Sequence, residues 1–214
     1  EEEEGEAEGD QEEHHEARTA RVRQLGTVDF YLENCHFSKS RIGLDVSARG
    51  MVFNAKNVSI QETLYVAFFK GGSFSLSQFN FSGTTGVFVI NTERAEFIDG
   101  TIKVTAGFSG VSEAIDCRGS PNCALTNVQI VGGSCGISLI GSNSRIKDCK
   151  LTGQVGCAFQ LQNALPVEEL GSHVLIDGLH IEGGSGDGIF VEELSSFDAT
   201  RLEIIGTAAS GVQL

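Results

Sequence analysis

The sequence has only two prolines among 214 residues and contains no apolar stretch near the roughly 20 residues that a membrane-spanning helix needs. Nothing near its start resembles the apolar core of a signal peptide. Basic residues are also few: 15 lysines and arginines face 29 aspartates and glutamates, so the net charge is −14. These absences argue against membrane insertion and against a nucleic-acid partner, which would require a basic stripe.

Most of the acidic excess lies at the start of the chain. Residues 1–20 hold ten acidic side chains and one arginine, which together account for nine of the net fourteen negative charges. A run of like charges without apolar partners does not offset the entropy lost on folding, so we predict a disordered acidic tail over 1–20. A docking motif for a basic partner is the alternative. Residues 21–26 are a candidate N-terminal cap for a domain spanning 27–214.

The rest of the chain carries an internal repeat. An apolar residue is followed three positions later by a second and two positions after that by a third, and the pattern then recurs. The last members of successive triplets lie 23, 21, 21, 28, 21, 30 and 23 residues apart, so the two long intervals predict insertions near 103–113 and 162–172. The triplets are Leu32/Cys35/Phe37, Ala55/Val58/Ile60, Leu76/Phe79/Phe81, Phe97/Gly100/Ile102, Leu125/Val128/Ile130, Ile146/Cys149/Leu151, Ile176/Leu179/Ile181 and Ala199/Leu202/Ile204.

A second short strand follows most triplets, introduced by glycine and apolar at alternate positions. It begins at Gly43-Leu44, Gly86-Val87, Gly136-Ile137, Gly156-Cys157, Gly188-Ile189 and Gly211-Val212. We call the stack of triplet strands the first sheet and the stack of glycine-led strands the second sheet. The pattern predicts an all-β fold, a single-stranded right-handed parallel β-helix of about eight coils.

A bend residue precedes the second member of every triplet, and six of the eight are Asn, Asp or Gln. They are Asn34, Asn57, Gln78, Asp99, Asn127, Asp148, Gly178 and Arg201. Asn and Asp tolerate the left-handed backbone of a sharp bend, and stacked amides can hydrogen-bond from coil to coil. The positions therefore predict an amide ladder along one corner of the solenoid.

Six cysteines show no paired CxxC motifs, so no zinc site and no cofactor are predicted. Four of them fall in or beside inward positions of the repeat, where a free cysteine behaves as a small hydrophobe. This usage favours a reduced, intracellular protein. Cys117 and Cys123 flank a tight loop at 118–122 and are the one pair that we suspect of forming a bridge.

Segments such as Ile146-Lys147-Asp148-Cys149-Lys150-Leu151-Thr152-Gly153 and Gly188-Ile189-Phe190-Val191 resemble the β-helix repeats of the pectin-lyase-like superfamily. The resemblance covers about 188 of the 214 residues. It implies the fold but does not choose a function, because that superfamily includes pectate and pectin lyases, polygalacturonases, epimerases, phage tailspikes and eukaryotic F-box and SHC-binding types.

The densest group of ionisable residues is predicted on the outer face of the first sheet, in three consecutive coils. It comprises Lys147, Lys150, Asp177, His180 and Glu203. Such a group could abstract a proton from a sugar acid or bind an anionic chain. The alternative, which we favour, is that opposite charges on adjacent strands pair across the sheet.

Two comparisons weaken an enzymatic interpretation. Arg145-Ile146-Lys147 matches the Arg-Ile-Lys of polygalacturonases, but their paired carboxylates and Gly-His-Gly element are missing, and hydrolysis needs both carboxylates. The outward row predicted for the second sheet has its acids too far apart to share a calcium ion. It reads Asp45, Ala67, Phe88, Asp116, Ser138, Ala158, Phe190 and Gln213. The weak metal candidates are Asp187, Glu192 and Glu193, close together around one turn.

The leading hypothesis is a non-catalytic β-helix module that presents a rigid face to a protein or polysaccharide partner. The first alternative is a carbohydrate-active lyase, epimerase or hydrolase with its site on the first sheet. The second is a viral or phage fibre segment, which predicts a trimer. The strand at Val212-Gln213-Leu214 would leave an open edge, so further coils or end-to-end packing with another subunit are expected there.

Overall fold

The computed structural model describes residues 28–105, 112–163 and 171–214. The predicted acidic tail, the candidate cap and the central parts of both predicted insertions lie outside these residues. The described residues form fourteen β-strands and no helix. The strands are β1 Val28–Ser38, β2 Ile42–Ser47, β3 Met51–Lys70, β4 Ser73–Ile90, β5 Arg94–Val104, β6 Glu113–Arg118, β7 Cys123–Gly132, β8 Cys135–Ile140, β9 Asn143–Thr152, β10 Phe159–Gln162, β11 His173–Glu182, β12 Ile189–Val191, β13 Ser196–Ile205 and β14 Val212–Gln213.

The strands stack in parallel as eight coils, which confirms the predicted solenoid. The first sheet runs in the order β1-β3-β4-β5-β7-β9-β11-β13. The second runs β2-β3-β4-β6-β8-β10-β12-β14. The long strands β3 and β4 belong to both, because each continues through the corner between the sheets.

The predicted triplets stack in register and supply one wall of the core. Leu125 pairs with Ile146 and Ile130 with Leu151, and the same two slots continue through the other coils. From β3 to β11 every member of these two slots is buried, and so are the middle members of the triplets apart from Gly100, which is partly exposed. Removing this stack of apolar side chains from water is the main stabilising term, at roughly 25 cal/mol per Å² of apolar surface.

The bend residues behave as their side chains predict. All eight have positive φ, between 50° and 86°. The Asn57 amide donates a hydrogen bond to Asn34 Oδ1 at 2.6 Å, and Asn127 donates to Asp99 Oδ1 at 2.8 Å. The left-handed backbone turns the chain sharply, and the coil-to-coil hydrogen bonds satisfy the polar groups displayed at that corner.

A second ladder, of hydroxyl groups, was not predicted and runs inside the corner between each second-sheet strand and the first-sheet strand that follows it. The backbone N–H of Ser120 donates to Ser142 Oγ at 3.1 Å, and that of Ser142 donates to Ser172 Oγ at 3.2 Å. Thr92 begins the series and Ser195 continues it. Each hydroxyl thus accepts a hydrogen bond from a buried backbone N–H group of the preceding coil, which would otherwise be costly to leave unpaired.

Two positions predicted to face outward on the second sheet are wrong. Phe68 rather than Ala67 lies beside Phe88, because the register shifts by one residue between Ile60 and Thr63. A one-residue shift moves each side chain of a strand to the other face, so Ala67 is buried. In the sixth coil the strand begins at Phe159, two residues later than predicted, so Gln160 faces outward in place of Ala158.

Candidate functional site

The first sheet brings together the five ionisable residues singled out from the sequence. Asp177 on β11 pairs in register with Lys147 on β9 and with Thr200 on β13. In the next outward slot, His180 pairs with Lys150 on one side and with Glu203 on the other. The residues predicted to be adjacent are therefore adjacent in the sheet. Their side-chain contacts determine whether they can transfer protons, bind a ligand or only pair with one another.

Lys150 and His180 are joined through a carboxylate that the sequence did not single out. Lys150 Nζ lies 2.7 Å from Glu182 Oε2, and His180 Nε2 lies 3.4 Å from the same oxygen. His180 Nδ1 lies 2.8 Å from Glu203 Oε2. The hydrogen bond from Lys150, together with that from His180, lowers the pKa of Glu182 below its ordinary value. The histidine thus sits between two carboxylates, both half or more exposed.

A second network surrounds Asp177. The Arg201 guanidinium donates from Nε to Asp177 Oδ1 at 2.8 Å, and its Nη2 lies 2.9 Å from Asp148 Oδ1. The arginine reaches Asp148 across Gly178, where an added Cβ would lie 2.7 Å from that oxygen and 3.1 Å from Nη2. The hydrogen bond from Arg201 is the main cause that lowers the pKa of Asp177, and Thr200 adds to it.

The repeat pattern places Asp148, Gly178 and Arg201 at bends but does not indicate that they form an ion-pair site. The signal that could have indicated the site is the order of residues along the bend ladder. The glycine lies one coil from the acid on one side and one coil from the base on the other. A glycine there leaves room for a long side chain to span two coil spacings, about 10 Å. This order can be used for prediction only when the register between successive coils is known.

These two networks are suited to pairing charges and poorly suited to proton transfer. A general base works best with a pKa near the operating pH, which enzymes reach by burial. Here the carboxylates of Asp177 and Glu182 are exposed and carry lowered pKa values. The arrangement favours cross-strand ion pairs over a catalytic acid and base.

The weak metal candidates are not gathered at one point. Asp187 Oδ1 accepts a hydrogen bond from the Ser210 N–H at 2.8 Å, before β12. Glu192 follows β12 and accepts from the Gln162 side-chain amide at 3.0 Å. The two carboxylates thus lie at opposite ends of β12, each with its own hydrogen-bond partner. Across 28–105, 112–163 and 171–214 there is no group of three or more His, Cys, Asp or Glu side chains able to hold a metal ion.

The outer face of the second sheet carries an aromatic cluster near the start of the solenoid. We call Tyr65, Phe68 and Phe88 the aromatic cluster. The rings of Phe68 and Phe88 stack with centroids 4.9 Å apart and planes 8° apart, and Tyr65 lies 5.3 Å from Phe68. All three are half-buried. Only Phe88 was identified from the sequence, because the register shift in β3 concealed Phe68.

An ion pair borders this cluster in the next coil. Asp116 pairs in register with Phe88 and is only 1% exposed, and Arg118 Nη2 lies 2.6 Å from its Oδ2. The hydrogen bond to Asp116 raises the pKa of Arg118. The other oxygen, Asp116 Oδ1, has no hydrogen-bond partner within the described part of the chain.

A family model described as a right-handed β-helix region matches residues 26–214. No curated protein and no solved structure matches the chain. Among the residues that the structure describes, no helix has the length and apolar character needed to cross a membrane.

Proposed function

Because the chain belongs to the right-handed β-helix family, we propose that it is a non-catalytic binding module whose second sheet presents the aromatic cluster to a protein partner. The observation that carries this proposal is the stacked pair Phe68 and Phe88, with Tyr65 beside it, on the outside of the sheet. Aromatic side chains are enriched in the cores of protein interfaces, where they fill pockets of the partner.

The backbone beneath the cluster supports an anchoring role. Phe68 and Phe88 stand on adjacent strands held by parallel hydrogen bonds, in register with Asp45 on one side and Asp116 on the other. The rings are thus held in place before a partner arrives, and little side-chain entropy is lost on binding. Preorganised aromatic groups of this kind contribute more affinity than flexible ones of equal area.

The stacking geometry favours a protein over a sugar. A sugar ring packs flat against the face of an aromatic ring, but Phe68 and Phe88 each use one face to stack on the other at 4.9 Å. The half-buried pair therefore has less free ring face than two separate rings, and its edges suit an aliphatic or aromatic side chain approaching edge-on. A partner with an apolar centre and a basic rim would match both the cluster and the net charge of −14, since opposite charge speeds association.

The first sheet offers less to a ligand. Its densest charges are engaged with one another through Glu182 and Arg201, and a ligand would have to displace these exposed ion pairs. In this interpretation, the charged residues of the first sheet keep that face soluble and monomeric instead of forming a catalytic or binding site. They are Lys147, Lys150, Asp177, His180 and Glu203.

The test compares variants in quantitative capture followed by direct binding. Phe68→Ala/Phe88→Ala removes the stacked pair, and Phe190→Ala is a matched control, since Phe190 is half-buried in the same outward row four coils from Phe88. We expect the wild type and the Phe190→Ala variant to retain the same partner protein. When binding is remeasured with purified components, the dissociation constant of the double variant should be at least about tenfold higher than that of the wild type. Circular dichroism checks that the variants fold.

Two results would contradict the proposal. Equal loss of affinity in Phe190→Ala and the double variant would mean that the cluster is not the contact. Turnover of a polysaccharide by the wild type, abolished by Lys150→Ala or His180→Ala, would instead place an enzymatic site on the first sheet. Turnover is tested on a panel of polysaccharides, with and without calcium, by measuring the absorbance of unsaturated products and the release of reducing ends.

A further inference from the structure

Four of the six cysteines form two close pairs, and only one pair was suspected from the sequence. Cys117 and Cys123 have their sulfur atoms 2.9 Å apart, across the loop that they flank. Cys135 and Cys157, which lie 22 residues apart in sequence on successive coils, have theirs 3.3 Å apart. In both pairs the thiols are free.

Access to solvent distinguishes the two pairs. Cys117 and Cys123 are no more than 1% exposed, so an oxidant dissolved in water does not reach them without opening the core. Cys157 is half-buried at the turn before β10, and Cys135 behind it is 5% exposed. In the second pair, therefore, one residue is partly open to solvent and its neighbour is protected.

The hydrogen bond between the two thiols favours ionisation of Cys157 over Cys135. The hydrogen bond from Cys135 lowers the pKa of Cys157, and the same contact raises the pKa of Cys135. Burial raises the pKa of Cys117 and raises that of Cys149 to about 11. The thiolate is the nucleophilic form of cysteine, so reaction with an oxidant should begin at Cys157.

We propose that Cys157 is a modification site for hydroperoxides and that Cys135 is its resolving thiol. The Cys157 thiolate attacks one oxygen of hydrogen peroxide, the O–O bond breaks, and hydroxide leaves and takes up a proton, which gives a sulfenic acid. The Cys135 sulfur then attacks Cys157, the S–O bond breaks, and the departing hydroxide takes the Cys135 proton to form water. Two thiols are oxidised to one disulfide and one peroxide is reduced to two waters.

The fold permits this bond with a small movement. Disulfide sulfurs lie about 2.05 Å apart, so the two atoms have to approach by about 1.3 Å, which a side-chain rotation supplies. The backbone is already placed, because the Gly136 N–H donates to the Cys157 carbonyl at 3.4 Å. The bond would fasten the start of β8 to the turn before β10 and so join two successive coils covalently. This inference is independent of the proposed binding function.

The experiment uses the reduced full chain. It is exposed to a small excess of hydrogen peroxide for increasing times, the remaining thiols are alkylated, and peptides are analysed by mass spectrometry. We expect a Cys135–Cys157 disulfide to form at least about tenfold faster than any oxidation of Cys117 or Cys149, because those two thiols are buried and little ionised at neutral pH. The bond should also raise the thermal midpoint of the chain, since it constrains the unfolded state.

Two variants assign the roles. Cys135→Ala should leave a Cys157 sulfenic acid that dimedone traps, and Cys157→Ser should leave Cys135 reduced. Oxidation of Cys157 no faster than that of Cys149 would overturn the proposal, and so would a Cys135→Ala variant that traps no more dimedone than the wild type. The wild-type comparison of Cys157 with Cys149 decides the matter even if Cys135→Ala does not fold.

Discussion

Gly100 offers a direct test of how side chains of adjacent coils share the core. It occupies the middle triplet slot of the fourth coil, directly below Phe79 of the third. A Cβ built on Gly100 would overlap three carbons of the Phe79 ring. Its φ is not in the left-handed region, so Gly100→Ala introduces a steric conflict and no backbone strain. We expect this substitution to destabilise the fold although alanine normally suits a strand better than glycine.

The magnitude follows from the packing. Carbon atoms pack at about 3.5–4.0 Å, so the added methyl forces the Phe79 ring to move by more than about 1 Å within a dense interior. Such overpacking costs about 1–3 kcal/mol, and the lower entropy of the unfolded alanine chain offsets about 0.4–1 kcal/mol of it. We therefore expect a net loss of about 1–2 kcal/mol, or a thermal midpoint lowered by about 2–8 °C for a domain of this size.

A double-mutant cycle separates this mechanism from others. Phe79→Leu alone should cost about 1 kcal/mol through lost contacts, but it also removes the ring that conflicts with the new methyl. Urea unfolding of the two single variants and the double variant should show the double variant at least about 1 kcal/mol more stable than the sum predicts. Gly211→Ala is the control, since nothing lies within 4 Å of its Cβ position, and it should change stability by less than about 0.5 kcal/mol. Additive effects would refute the reasoning.

Three further predictions concern the ladders and the charged face. Ser142→Ala should lower the free energy of unfolding in urea by about 1–3 kcal/mol, because the Ser142 hydroxyl accepts a hydrogen bond from a buried N–H group. Ser144→Ala should lower it by less than about 0.5 kcal/mol, because the buried Ser144 hydroxyl has no hydrogen-bond partner in the described chain. Asn57→Ala should be about 1–2 kcal/mol less stable than Asn57→Gly, since φ at this bend is 53° and alanine disfavours that conformation. Arg201→Met should raise the pKa of Asp177 towards its ordinary value, as measured by carboxyl NMR titration.

The sign of the last effect follows from the lowered pKa. In the wild type the ion pair of Asp177 contributes stability above the ordinary carboxyl pKa near 3.9, and this contribution is lost as the pH falls through the lowered folded value. Arg201→Met should therefore lessen the loss of stability on acidification, and an unchanged titration of Asp177 would contradict the assigned contact. For the ladders, equal costs at the two serines, or equal stability of the two Asn57 variants, would contradict the hydrogen-bond and backbone arguments.

Part of the candidate site could be predicted once the repeat was recognised. Placing Asp177 beside Lys147 and His180 between Lys150 and Glu203 needed only the offset between coils, because residues in one slot of a parallel stack are adjacent. The contacts made by those side chains could not be predicted, since a lysine or arginine reaches several neighbours at once and the choice depends on rotamers. Glu182 and Arg201 were missed for this reason.

The sequence by itself determined the solenoid, its eight coils and its bends, because these depend on local properties that recur along the chain. Inward positions must be apolar every second residue, and a left-handed bend favours a residue such as Asn127. Only the tertiary structure decided which side chains share space across coils. The one-residue shift that turns Phe68 outward, the fit of Phe79 over Gly100 and the meeting of Cys135 with Cys157 each join residues about 20 positions apart. Their contacts arise from the stacking of coils, where a displacement of one residue changes which face a side chain occupies.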